Sequence, residues 1–105
     1  MHGYQCTVSA WESREVMLEF MRSGAVAAAY PSIVGGGENA CVLHYVNNNC
    51  ALTAGELVLI DAGCEYQHYA GDITRTFPVN GHYSAAQKEI YDVVLAANLA
   101  AIELC

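Results

Sequence analysis

The stretch LVLIDAGCEYQHYAGDITRTFPVNG, residues 57–81, decides how this chain folds. It opens on four apolar residues, Leu57–Ile60, reaches Asp61, crosses a glycine-bearing segment and returns through Asp72 into ITRTFPV. Two strand-forming runs divided by turn-compatible residues spell an antiparallel hairpin. Centred on Tyr66 and Gln67, that hairpin sets Asp61 opposite Asp72. Directly opposed residues share a face of the sheet, with Cα atoms about 4.5–5.5 Å apart. Two ionised carboxylates that close repel each other and push one pKa up, unless a cation lies between them. The pair therefore reads as half of a metal centre.

Asp61 ends a run of residues that should be buried, where a lone carboxylate is costly unless it is paired or metal-bound. Gly71, just before Asp72, leaves room for close approach. Thr74 and Thr76 lie on the same strand face as Asp72 and can hydrogen-bond a ligating carboxylate. Oxygen ligands favour hard cations, Mn2+ among them, over a thiolate zinc site. Two metals bridged by carboxylates would stand about 3.5–4 Å apart, a spacing that activates water for hydrolysis. The residues alone leave a plainer alternative open, in which Asp61 caps a turn and Asp72 pairs with Arg75 or Lys88.

Working outward, residues 1–9 have no clear period and are expected to form an irregular end. Trp11, Met17, Leu18 and Met21 can line one face of a helix near 10–23, capped by Ser9 or Ser13 and stopped at Gly24. A strand is expected near 26–34, in AVAAAYPSIV, where Pro31 excludes helix. Gly35–Gly37 demand a tight or flexible path, and CVLHY at 41–45 is a short strand candidate. Asn47–Asn49 and Gly55 suit turns leading into the strands near 57–63 and 70–78. Ser84, with Gln87 three residues on, is a capping box for a helix near 84–104. Ile90, Val93, Val94, Ala97 and Ala101 mark the stripe expected to be buried.

The chain has 105 residues, 54% of them apolar, which excludes intrinsic disorder and requires a core. Its net charge of −7 argues against a nucleic-acid or anionic-membrane partner, since both call for basic clusters. Five cysteines without a CxxC pair point to a reducing compartment, hence the cytoplasm. No signal peptide and no membrane-length apolar run are evident. His44 is either a half-buried strand histidine or a neutral imidazole that binds a carbonyl or shuttles a proton. His2, His68 and His82 are expected to be solvated. The Gly35–Gly37 run lacks the Gly-Lys-Ser/Thr ending of a phosphate loop. Tyr30 is either an aromatic wall of a cleft or a core residue.

The segments YPSIVGGGENACVLHY, LVLIDAGCEYQHYAGDITRTFPVNG and SAAQKEIYDVVL together resemble aminopeptidase P, the Xaa-Pro aminopeptidase branch of the pita-bread metallopeptidases. The likeness covers about residues 11–105. An Asp-x10-Asp spacing alone would also suit methionine aminopeptidase or prolidase; the fuller wording favours aminopeptidase P. The resemblance implies an α/β (α+β) fold, a partial pita-bread domain with a curved, mainly antiparallel sheet and flanking helices. It implies Asp61 and Asp72 as metal ligands, His44 as the catalytic and substrate-site histidine, and Tyr30 as a substrate-pocket residue. It further implies two divalent ions, usually Mn2+, and a hydroxide bridging them that attacks the carbonyl of an Xaa-Pro peptide. The family's other ligands, a histidine and two glutamates, match nothing here. Residues 10–105 are thus expected to be the N-terminal half of a catalytic domain, inactive alone and prone to self-association. Prolidase and a non-catalytic pita-bread peptide-binding module are the competing readings, and homo-oligomers are an expected assembly.

Overall fold

The computed structural model describes residues 8–105. The chain runs through α1 (Val8–Arg22), β1 (Ala27–Ala28), β2 (Ile33–Gly36), a short 3-10 helix (Gly37–Cys41), β3 (Leu57–Ala62), β4 (Cys64–Tyr66), β5 (Tyr69–Ala70), β6 (Ile73–Pro78) and α2 (Ala85–Ile102). The expectations for His2, Cys6 and the side chain of Trp11 lie outside the described residues. Val8 and Ser9 belong to α1 rather than to an irregular end, and both cap candidates, Ser9 and Ser13, fall inside the helix.

The 57–81 hairpin is the spine. β3 pairs with β6 and, on its other edge, with β2; further along, β4 pairs with β5 and with β1, all antiparallel. The hairpin's register differs from the expected one. Asp61 stands opposite Thr74, and Tyr66 opposite Tyr69, so the turn falls on Gln67 and His68 instead of Tyr66 and Gln67. Both turn residues have positive φ, 48° and 71°, the signature of a two-residue turn whose twist matches the strands it joins. Neither is a glycine or an asparagine, so composition could not mark the position.

Alternation divides the residues of β3 between two faces. Val58 and Ala62 point to one side with Val34 of β2, and all three are buried. Asp61 points to the other, beside Thr74 and the buried Ile33. Gly63 crosses so close to the returning strand that a Cβ there would lie 1.7 Å from the Gly71 carbonyl oxygen.

The single strand expected at 26–34 is two strands, because β1 and β2 do not share one register. Five steps separate Ala28 from Ile33, whereas three separate their partners Cys64 and Asp61. The two surplus residues are taken up between Ala29 and Ser32, where the fixed φ of Pro31 suits a break in pairing. Ala29 N–H still reaches the Gly63 carbonyl at 2.9 Å. This local excess of chain lifts Tyr30 out of the ladder.

The strand expected at 41–45 is absent. Residues 37–41 wind into the 3-10 helix, Val42 N–H closes on the Asn39 carbonyl at 3.2 Å, and His44 has φ of 55°. β-branched and aromatic composition favours a strand only where a neighbour can pair with it, and here Val42 and Leu43 are exposed.

Helix α1 packs on β1 and β2 and half-buries Val16, Met17 and Phe20, while Leu18 and Met21, expected on that face, are exposed. At the other end Ser84 and Gln87 form the expected capping box, with Gln87 N–H to Ser84 Oγ at 3.3 Å and Ser84 N–H to Gln87 Oε1 at 2.9 Å. Gln87 Nε2 also reaches the Gly55 carbonyl at 2.9 Å, and the Tyr83 hydroxyl donates to the Thr76 carbonyl at 3.1 Å. Through these contacts α2 is docked by its first turns only. The stripe expected to be buried is therefore open: Ile90 and Val93 are each 69% exposed, and no residue of α2 is buried. Periodicity shows which side of a helix is apolar; it does not supply a partner.

Replacing Ser84 with alanine should lower stability by about 1 kcal/mol, and replacing it with glycine by only a few tenths. Urea unfolding of the full-length protein measures both. Equal, negligible losses would mean the cap contributes nothing to the docking of α2.

Candidate metal centre

Although Asp61 and Asp72 are not directly opposed, the two-residue offset keeps them on one face, since side chains alternate with period 2. Their carboxylates converge on one group. The Tyr30 hydroxyl lies 2.5 Å from Asp61 Oδ1 and 3.2 Å from Asp72 Oδ1. A phenol carries one proton, so the short contact is the donated bond and the longer one a weak, shared interaction. Partial burial, followed by the neighbouring Asp61 and Asp72 carboxylates, pushes the Tyr30 phenol pKa well above its ordinary value. Tyr30 thus stays protonated, and a donor, throughout the neutral range.

The plainer alternative does not form. Lys88 is engaged with Asp92 at 2.7 Å on the exposed side of α2, and Arg75 Nη1 donates to the Thr74 carbonyl at 2.8 Å. Among the described residues Asp61 makes no capping hydrogen bond, and its side-chain partner is Tyr30. Thr74 lies beside Asp61 in register, but neither Thr74 nor Thr76 hydrogen-bonds an aspartate among the described residues.

The donor set fits a hard divalent cation in kind: two carboxylates, gathered on one side of the sheet. In number it is half a site. Among the described residues no group of three or more histidine, cysteine, aspartate or glutamate side chains is placed to hold a metal. His44 sits exposed in the turn after the 3-10 helix, and among the described residues no hydrogen bond joins it to the aspartates. Tyr30 is half-buried, its hydroxyl directed at the carboxylates. No motif in the sequence encodes that link. It joins residues 31 and 42 positions apart and depends on the surplus of chain at 29–32, for which Pro31 was the one visible sign.

Antiparallel strands that gather two aspartates on one face define a class. Over residues 4–105 the chain matches the model of metallopeptidase family M24, and it belongs to that family. Among individual relatives, it is 63% identical to the Xaa-Pro aminopeptidase of Escherichia coli K12 over 81 residues, which is 77% of this chain and 18% of that protein. It is 59% identical to the Xaa-Pro aminopeptidase of Haemophilus influenzae over 90 residues, 86% of this chain and 21% of that one. The solved structure of proline aminopeptidase P II from Yersinia pestis superposes with a TM-score of 0.83 at 61% identity, covering 85% of this chain and 20% of its own. A zinc-substituted E. coli aminopeptidase P in complex with product gives 0.82 at 58% identity, covering 84% of this chain and 20% of its own. The fold is accordingly mixed α/β, of the pita-bread type of aminopeptidase P. The chain spans about a fifth of the length of the curated relatives it matches. Among the described residues no helix is long and apolar enough to cross a membrane.

Proposed function

We propose that the protein to which these residues belong is a metal-dependent aminopeptidase that releases the N-terminal residue from peptides with proline in second place. Residues 10–105 would form the N-terminal half of its catalytic domain. The observation that carries this reading is the convergence of Asp61 and Asp72 on the Tyr30 hydroxyl. The similarity to Xaa-Pro aminopeptidases supports the choice of substrate.

In this reading Asp61 and Asp72 hold two divalent ions, Mn2+ in our proposal, together with ligands from outside this chain. When bound, the ions supply Lewis acidity and activated water. The chain's own groups do the positioning. Tyr30 donates to Asp61 and keeps the two carboxylates turned toward each other, and its ring borders the substrate. His44, an exposed imidazole on a turn, takes up the peptide carbonyl and steadies charge that builds on its oxygen. A cytoplasmic setting and homo-oligomers belong to the same proposal.

The full-length protein, supplied with Mn2+ and a set of Xaa-Pro peptides, should release the leading residue and stop at peptides lacking proline, as followed by mass spectrometry. Chelation should abolish release and Mn2+ should restore it. The 105-residue chain alone should bind Mn2+ weakly and release nothing, because two carboxylates cannot hold a pair of cations against water. Absence of proline-specific release from the metal-loaded full-length protein would sink the reading.

A further inference from the structure

β2 has one edge on β3; its other edge presents unpaired backbone groups. In an antiparallel ladder the groups facing outward are those of the residues flanking a hydrogen-bonded pair. Around Ile33, which is paired with Asp61, these are the Ser32 carbonyl and the Val34 N–H. Both are met by one side chain. Asn48 Oδ1 accepts from Val34 N–H at 2.8 Å, and Asn48 Nδ2 donates to the Ser32 carbonyl at 2.8 Å. The carboxamide thus does what one residue of a paired strand would do, offering one donor and one acceptor side by side. Ser32 and Val34 are buried, so water is a poor substitute for either bond.

The position of this clip is telling. Ser32 is two residues past Tyr30, at the downstream end of the surplus chain that directs Tyr30 to the aspartates. Asn48 is four residues past His44 and belongs to the same loop. That loop is also held by Tyr45, whose ring is buried and whose hydroxyl donates to Asn49 Oδ1 at 2.7 Å. Asn48 itself has φ of 47°, a left-handed conformation that asparagine tolerates better than most residues. One side chain therefore ties the loop carrying His44 to the strand that follows Tyr30.

We propose that Asn48 is a positioning residue, whose carboxamide clip on the edge of β2 sets the His44 loop against the Tyr30–Asp61–Asp72 cluster. This role rests on the peptidase reading above, since it acts through His44 and Tyr30 and makes no contact with substrate.

The test uses the full-length protein carrying Asn48→Gly, which keeps the left-handed backbone accessible and deletes the carboxamide. Rates are normalised to folded, metal-loaded protein. The expected result is a kcat lowered about tenfold or more with KM changed less than about threefold, the pattern of an interaction that matters in the transition state. In a double-mutant cycle with His44→Ala, the second substitution should add less than about a further twofold, because both remove the same placement. Asn48→Asp, which keeps the acceptor for Val34 and loses the donor to Ser32, should fall between. A kcat within about twofold of the unsubstituted protein, or losses that multiply fully in the cycle, would overturn the role. Should the unsubstituted protein prove inactive on Xaa-Pro peptides, the functional reading fails and hydrogen exchange decides the clip. Faster exchange spreading from Val34 through residues 27–36 and 42–49 in Asn48→Gly supports it. Unchanged exchange, or a change at the Val34 amide alone, overturns it.

Discussion

Replacing Asp61 with asparagine in the full-length protein is expected to lower kcat/KM on an Xaa-Pro peptide by about 10³-fold or more, equivalent to about 4 kcal/mol of transition-state stabilisation. The substitution keeps the size of the side chain and an oxygen able to accept from the Tyr30 hydroxyl. What it removes is the negative charge, the property that a site for hard cations most needs. Stability should therefore change little while metal content falls. Asp72→Asn should act in the same direction. The measurement is a pair: bound metal per chain by elemental analysis, and steady-state kinetics at saturating Mn2+. An Asp61→Asn protein that keeps both its metal and its rate would remove Asp61 from the site.

The largest effect on stability should come from Gly63→Ala. The new methyl carbon would sit 1.7 Å from the Gly71 carbonyl oxygen and 2.4 Å from its carbon. Both are backbone atoms of the returning strand, so no side chain can swing aside. The hairpin would have to part between Asp61 and Asp72, the two residues whose approach matters. A loss of about 3 kcal/mol or more is expected, with activity falling alongside. Gly81→Ala is the control: its φ is +80°, but nothing lies within 4 Å of the added carbon, so only the backbone preference is lost, about 1 kcal/mol. Urea unfolding of both proteins separates the two causes. Equal losses at the two positions would show that the hairpin is looser at Gly63 than described.

Residue pattern fixed which face of the hairpin each aspartate takes, and less than that fixed the register. Alternation sets parity: moving the turn from Tyr66–Gln67 to Gln67–His68 shifts every partner by two and leaves each side chain on its side. The convergence of Asp61 and Asp72 survived a misplaced turn for that reason. The segment 41–45 shows the opposite case, because strand-forming residues need a partner and none pairs with them among the described residues. In α2 the capping box was legible since it is a local exchange of hydrogen bonds within four residues. Burial of Ile90 and Val93 was not, since it depends on what lies across from them. The Tyr30 link was least legible of all. It requires the slip at 29–32, and no pattern of hydrophobicity encodes a phenol reaching across to two acids.

A phenol with a single proton and two acidic neighbours ranks those neighbours. Asp61, half-buried, holds the strong bond; Asp72, exposed, receives the weaker share and keeps more of its lone pairs open to solvent. A cation arriving from solution would meet Asp72 first and would find the near oxygen of Asp61 already engaged by the phenol. Two residues identical in chemistry would thereby become an outer and an inner station, and the side chain that sorts them lies 31 positions upstream of the inner one.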